Sequence, residues 1–140
     1  LTRLHDLGVQ PFLTAATILG VLAQRLVRKL CPHCKQEGSI NEKDWEHLTF
    51  DYIMEMPAQV FKPVGCDECR QTGYKGRVGI YEFMPLSLET KQLISANANL
   101  NELRQQAKKE GIEPLRIAGA RKVLEGVTTL EEVLRVVPLN

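Results

Sequence analysis

The sequence predicts a mixed α/β fold that is mainly helical, with a four-cysteine lobe followed by a small bundle of C-terminal helices. Two cysteine pairs, at residues 31–34 and 66–69, mark the lobe. Residues 78–84 have the apolar, β-branched and aromatic content of a strand. The residues after Ser87 are divided into short segments by glycine, proline and capping side chains, which is typical of short packed helices.

The composition is that of an ordinary globular protein. Of its 140 residues, 44% are hydrophobic and 25% are charged, which argues against disorder, collagen and a coiled coil. The formal net charge of +1 gives no sign of a nucleic-acid or acidic-membrane partner. The longest uncharged stretch, residues 7–24, falls short of the roughly 20 apolar residues of a membrane span. No transmembrane segment is therefore expected. Because Leu1 leads directly into an amphipathic pattern, the chain is expected to be part of a longer protein.

Two helices and a strand are expected before the first cysteine. Residues 1–7 have leucines at three-residue spacing and predict a helical end stopped near Gly8. Pro11 suits the first turn of a second helix that carries apolar residues as far as Leu22. Residues 24–30 alternate loosely and predict a short strand.

One inserted helix is expected between the two cysteine pairs. The segment Ser39 to Glu42 has the form of a capping box, and it predicts a helix over about residues 41–55. Trp45 lies on that helix at the spacing of a core residue. Residues 60–61 are expected to return in an extended conformation.

After the strand at residues 78–84, the capping residues predict four short helices. Ser87 is expected to cap the first, and Asn99 with Glu102 to form a capping box for the second. The second helix is expected to end at Gly111, and the third to run from Pro114 to a C-terminal cap at Gly126. The last helix is expected to begin at a cap formed by residues 128–131 and to end before Pro138. Gly119, inside the third helix, predicts close packing against a neighbour.

The cysteines point to a metal site. Cys31, Cys34, Cys66 and Cys69 form two CxxC pairs. Each pair can direct two thiolates at one tetrahedral ion, so the two pairs together predict a closed structural zinc site. With all four positions filled by sulfur, the metal is expected to stabilise structure and to have no catalytic role. A Cys66→Ser change is expected to release the metal and melt the lobe, with the C-terminal helices partly intact.

Two other interpretations of the cysteines fit the sequence less well. Disulfides are typical of secreted, cysteine-dense chains, and this chain shows neither feature. A thioredoxin-like redox pair would not need a second CxxC motif. His33 is expected to face solvent. Four cations flank the pairs, and they either offset the thiolate charge or are ordinary solvated side chains: Arg28, Lys29, Lys35 and Arg70. Gly65 and Gly73 bracket the second pair, where tight turns often need a positive φ.

Several catalytic motifs are missing from the sequence. It contains no GxxxxGK[ST] phosphate loop, no GxSxG elbow and no HExxH. The loop from Gly73 to Gly76 is expected to be a turn. No catalytic residue and no cofactor-binding residue is therefore assigned.

The chain resembles the C-terminal stretch of the ATPases of type II secretion and type IV pilus assembly. The resemblance rests on these segments: Arg3-Leu4, Gly8 to Leu13, Gly20 to Arg28, Leu30 to Cys34, Cys66 to Cys69, Thr72 to Tyr74, Gly76 to Glu82 and Gly126 to Leu134. The segments are spread from residue 3 to residue 134, so the resemblance extends over nearly all of the chain. Among these segments the Gln24-Arg25-Leu-Val-Arg run, the cysteine pairs and the Gly-Arg-Val-Gly-Ile-Tyr-Glu strand form the specific combination.

The resemblance implies a hexameric, cytoplasmic motor that docks at the bacterial inner membrane through platform proteins. ATP and Mg²⁺ would bind upstream of this chain, so the fragment alone is not expected to be catalytic. The implied division is residues 1–30 as the end of a RecA-like ATPase core, 31–70 as the zinc subdomain, and 71–140 as a strand with a helical subdomain. The resemblance assigns no role to Gln24 and Arg25 beyond packing.

The role of the zinc lobe and two alternative functions of the chain stay open at this point. The lobe either docks a platform protein or a neighbouring subunit, or it only stabilises the fold. A freestanding zinc-ribbon adaptor for nucleic acid would need a basic surface with interleaved aromatic residues. The second pair instead encloses Asp67 and Glu68, so no nucleic-acid partner is expected. The second alternative is a generic helical interaction module, which predicts that the chain folds equally well with and without zinc.

Overall fold

The computed structural model describes residues 1–138 and divides the chain into two compact units. One unit combines residues 1–23 with 82–113, and the other combines residues 24–81 with 114–138. Each unit is therefore built from two separate stretches of sequence. None of the helices within residues 1–138 has the length and apolar content that a membrane span requires.

Seven helices and four strands are assigned in the described residues. The helices are α1 (Thr2–Asp6), α2 (Pro11–Thr17), α3 (Glu42–Leu48), α4 (Leu88–Ser95), α5 (Leu100–Lys109), α6 (Leu115–Leu124) and α7 (Leu130–Val136). The strands are β1 (Gly20–Leu30), β2 (Gln36–Gly38), β3 (Val60–Lys62) and β4 (Tyr74–Pro85). Strand β1 pairs with β4, and β2 pairs antiparallel with β3 in the register Gly38 to Val60.

The first unit contains α1, α2, α4 and α5. Ala15 on α2, Ile94 on α4 and Leu86 between them form its buried cluster. Predicted caps are confirmed here: the Ser87 hydroxyl accepts from the Thr90 N–H, and Asn99 and Glu102 bond reciprocally to each other's backbone. These bonds satisfy N–H groups that the first turn of a helix leaves without partners.

The second unit contains α3, α6, α7 and the cysteines. Trp45 and Leu48 of α3 are buried, and α3 contacts both α6 and α7. At Gly119 a Cβ atom would overlap Cγ1 of Val133 and lie 3.1 Å from its Cγ2. The close packing predicted for Gly119 is therefore confirmed, with α7 as the neighbour.

The second predicted helix is shorter than expected and the strand after it is longer. Helix α2 ends at Thr17, not near Leu22, because Ile18 takes extended dihedrals and Leu19 accepts a hydrogen bond from the Leu86 N–H. Strand β1 consequently starts at Gly20 and not at residue 24. Pairing with β4 outweighs the helical pattern of the leucines, a tertiary effect that intrinsic propensity cannot report.

Two predicted caps were wrong. Asn41, not Ser39, caps α3 by accepting from the N–H groups of Lys43 and Asp44, and the helix ends at Leu48 rather than near residue 55. Thr129, not Thr128, caps α7 by accepting from the Glu132 N–H at 3.2 Å. The Thr128 hydroxyl instead donates to the Arg28 carbonyl at 2.7 Å.

The four predicted C-terminal helices are present, but they are divided between the units. Helices α4 and α5 belong to the first unit, and α6 and α7 belong to the second. The described residues thus form a mixed α/β structure. The predicted division into 1–30, 31–70 and 71–140 does not coincide with these units and stays a prediction, as does the RecA-like part.

Candidate metal centre

The four cysteine side chains converge on one point. All four Sγ atoms lie within 4.8 Å of one another. The Sγ–Sγ distances are 3.8 Å for Cys31–Cys66, 3.8 Å for Cys34–Cys69 and 3.7 Å for Cys66–Cys69. Four thiolates bound tetrahedrally to one ion at about 2.3 Å would stand about 3.8 Å apart. The cysteines are free and not bridged, since a disulfide would bring two sulfurs to about 2.05 Å.

The backbone positions each pair separately. Cys31 follows the last residue of β1, and its N–H donates to the Gly73 carbonyl at 2.9 Å. The β2–β3 pair carries the chain away from Cys34 and back toward Cys66. Cys66 precedes a 3₁₀ turn, Asp67–Cys69, and Cys69 ends it. The pairing of β2 with β3, which precede and follow the inserted helix α3, therefore brings the two distant cysteine pairs together.

Backbone N–H groups donate to two of the sulfurs. Cys69 Sγ accepts from the N–H groups of Cys66 and Gly73, both at 3.2 Å, and Cys34 Sγ accepts from Gly65 at 3.3 Å. Burial alone would raise the pKa of the Cys69 thiol, but the N–H groups of Cys66 and Gly73 lower this pKa to about 6. Burial raises the pKa of Cys66 to about 11. Without metal, Cys69 is thus the better prepared of these two thiols to lose its proton.

The glycines that bracket the second pair have the positive φ that their positions predict. Gly65 has φ +112° and Gly73 has φ +80°. A Cβ at Gly73 would overlap Cβ of Pro63 and lie 2.9 Å from its Cα, and one at Gly65 would lie 2.9 Å from the Gln71 carbonyl oxygen. Only glycine meets both the conformational and the steric demand at these positions.

The residues that flank the first pair have other partners or face solvent. His33 is exposed and is not among the clustered ligands, as expected. Lys35 Nζ donates to the Gly126 carbonyl at 2.9 Å and lies 4.6 Å from the centroid of the Phe61 ring. Arg28 pairs with Glu132 at 2.6 Å. Two of the four flanking cations therefore have partners other than the thiolates.

A buried carboxylate bonded to Arg28 of β1 was not predicted. The Glu132 side chain is only 3% exposed and accepts from the side chains of Arg28 and Arg135 and from the Arg28 N–H. Arg28 also lies 4.1 Å from the Tyr74 ring centroid. The sequence offers only the Glu132–Arg135 spacing as a signal, because Arg28 is 104 residues away.

Comparison with known proteins identifies the family. Residues 1–135 match the family described as "Type II/IV secretion system protein". The chain belongs to this family. That membership confirms the predicted family, while the C-terminal position of the chain within its longer relatives stays a prediction.

Three relatives illustrate the similarity. The chain is 74% identical over its whole length to a type IV pilus assembly ATPase, TfpB, of Acinetobacter baylyi. It is 46% identical over 136 residues, 97% of its length, to the type II secretion system protein E of Pseudomonas aeruginosa. It is 43% identical over 136 residues, again 97%, to the type IV pilus assembly ATPase PilB of the same organism. The chain spans 24%, 26% and 24% of these three relatives, respectively.

Proposed function

We propose that this chain is the zinc-bearing C-terminal part of an ATPase that powers type IV pilus assembly or type II secretion. The convergence of four sulfurs at near-tetrahedral spacing is the observation that carries the zinc assignment. The family match over residues 1–135 carries the motor assignment.

The donor set suits zinc. Four thiolates favour a soft or borderline ion and fill all positions of a tetrahedral site. Zinc bound there would supply a fixed crosslink between the end of β1 and the 3₁₀ turn, with no open position for water or substrate. The N–H groups of Gly65, Cys66 and Gly73 would then orient the sulfurs and offset part of their charge.

The motor assignment extends to parts outside this chain. The relatives named as ATPases are about four times as long as the chain, and the chain's sequence has no Gly-Lys phosphate loop. We infer that ATP and Mg²⁺ bind elsewhere in the parent protein, which works as a cytoplasmic hexamer against inner-membrane platform proteins. This chain would then contribute a stiff lobe and helices, and it would not hydrolyse ATP alone.

Metal analysis of the purified chain tests the zinc proposal. We expect one zinc per chain, measured by mass spectrometry of the metal, and loss of that zinc in Cys66→Ser. Because metal binding is coupled to folding, Cys66→Ser should also lower the thermal stability of the second unit. The expected ATPase rate of the chain is zero, against measurable turnover by the parent protein.

His33→Ala is the matched control, because this residue lies inside the first CxxC pair but outside the sulfur cluster. It should keep one zinc per chain. A wild-type chain that folds with four free thiols in the presence of zinc would contradict the proposal, as would ATP hydrolysis by the chain alone.

A further inference from the structure

Residues 50–56 expose apolar side chains beside α3. Phe50 is 71% exposed, Met56 is 47% exposed and Ile53 is fully exposed. These residues, here named the 50–56 loop, form neither helix nor strand. Arg116 anchors the start of the loop, since its Nη1 donates to the Leu48 carbonyl at 2.8 Å and its guanidinium lies 5.2 Å from the Tyr52 ring centroid.

The 50–56 loop and α3 enclose a cleft of about 440 Å³. Trp45, Phe50, Met54 and Met56 contribute to its lining. The Trp45 side chain is 2% exposed, and within residues 1–138 its Nε1 has no hydrogen-bond partner. Because Trp45 is buried, the accessible apolar lining of the cleft comes from the loop, chiefly from Phe50 and Met56.

The rim of the cleft is acidic. Glu42 and Glu46 of α3 line it, and neither carboxylate has an ion-pair partner in the described part of the chain. Residues 42–56 contain five acidic side chains and one lysine, whereas the whole chain has a net charge of +1. The exposed apolar side chains of the 50–56 loop therefore lie in a segment whose charged side chains are mostly acidic.

We propose that this cleft and the 50–56 loop form a docking surface for a basic amphipathic segment of a partner protein. Apolar anchors of that segment would displace water from Phe50, Ile53 and the methionines, whose flexible thioethers adapt to different side chains. Flanking lysine or arginine side chains would pair with Glu42 and Glu46. A membrane surface is disfavoured as the occupant, since anionic lipid headgroups would be repelled by the same carboxylates.

The inference rests on the proposed function in one respect, because the zinc site is expected to hold the lobe that carries the surface. Zinc content is therefore measured for every variant. Absence of zinc in the wild-type chain would overturn the proposed function, whereas retained zinc without selective binding would overturn only this inference.

The test uses the zinc-loaded chain and two synthetic helical peptides of about 18 residues, five turns each. One contains leucine and lysine in an amphipathic order, and the other has glutamate in place of every lysine. Trp45 is the only tryptophan in the chain and lies in the cleft, so its fluorescence emission reports binding directly. We expect the lysine peptide to bind at least about tenfold more tightly than the glutamate peptide, and more weakly as salt screens the charges.

Two variants locate the binding. Ile53→Ser removes the apolar side chain without adding a charge and should weaken the lysine peptide about tenfold; because Ile53 is fully exposed, the change leaves the fold intact. Glu46→Lys should weaken the lysine peptide and strengthen the glutamate peptide, each several-fold. Leu100→Ser and Glu89→Lys make comparable changes at exposed positions of the first unit and should leave both affinities unchanged.

Three results would overturn the inference. The first is equal affinity of the wild-type chain for the two peptides. The second is unchanged binding of the lysine peptide in Ile53→Ser. The third is binding to phosphatidylcholine–phosphatidylglycerol vesicles that Ile53→Ser abolishes while peptide binding stays undetectable, which would identify a lipid surface as the occupant.

Discussion

Replacing Glu132 by glutamine tests whether the buried carboxylate holds α7 to β1. Its oxygens accept from Arg28 Nε at 2.9 Å, from the Arg28 N–H at 3.0 Å and from Arg135 Nη2 at 3.0 Å. Glutamine keeps the shape of the side chain but removes the charge and puts an NH₂ group opposite one of these donors. The change therefore isolates the ionic part of the contact.

The size of the effect follows from the pKa of Glu132. Burial alone would raise this pKa, but the hydrogen bonds from Arg28 and Arg135 outweigh it and lower the pKa from 4.5 to about 2. At 1.36 kcal/mol per pKa unit, this shift means that the folded chain with ionised Glu132 is about 3 kcal/mol more stable against unfolding than the folded chain with protonated Glu132. Arg28 and Arg135 are 47% and 58% exposed and would regain water in the variant, so we expect Glu132→Gln to lose about 2–3 kcal/mol.

Urea unfolding followed by Trp45 fluorescence measures this loss, since Trp45 and Glu132 belong to the same unit. Glu131→Gln is the control: Glu131 is the exposed neighbour on α7, and its replacement should change stability by less than about 0.5 kcal/mol.

The pH dependence has a definite sign. A lowered carboxyl pKa stabilises the folded chain fully above the unfolded value of 4.5, and this contribution disappears as pH falls toward 2. The stability gap between wild type and Glu132→Gln should therefore stay constant above a pH of about 5 and narrow below about 4. Release of metal in acid affects both proteins alike, because they carry the same cysteines. A gap at neutral pH no larger than that of Glu131→Gln would refute the reasoning.

Two glycine substitutions test the close contacts. Gly119→Ala should lower the unfolding free energy by about 1–3 kcal/mol despite the better helix propensity of alanine, because its Cβ would overlap Val133. Adding Val133→Ala should relieve the overlap, so strictly additive losses in the double variant would contradict this reason. Gly73→Ala should release zinc to a chelator faster than wild type does, because its Cβ would overlap Pro63. Gly111→Ala is the control, with the same φ of +80° and no atom within 4 Å; equal zinc release from both variants would contradict the steric explanation.

Sequence patterns predicted features whose interacting groups lie within a few residues of each other. The Ser87 cap and the Asn99–Glu102 capping box each join groups three residues apart, and both were confirmed. The CxxC pairs are local in the same sense, because each pair brings two thiols together. The two pairs lie 35 residues apart, and their convergence was predicted from the four ligands that a tetrahedral ion requires, not from a local pattern. The zinc itself stays a proposal.

Features set by long-range contacts were predicted poorly. Thr128 satisfies the capping pattern, but its hydroxyl bonds to a carbonyl 100 residues earlier, and Thr129 caps the helix instead. The start of β1 depends on pairing with β4, and the two compact units each combine distant stretches of sequence. No local pattern records these choices, since their energies come from partners that the folded chain alone brings close.

The end of β1 links the metal centre to the turn before α7. The Leu30 N–H donates to the Val127 carbonyl at 2.8 Å, Lys35 Nζ donates to the Gly126 carbonyl, and the Arg28 carbonyl accepts from Thr128. Residues on both sides of Cys31 therefore hold the turn at residues 126–128. If the metal fixes Cys31, its loss in Cys66→Ser should also loosen α6 and α7, which this turn connects. None of these bonds involves α4 or α5, so the helices that stay intact should be these two, and not the C-terminal helices as a group.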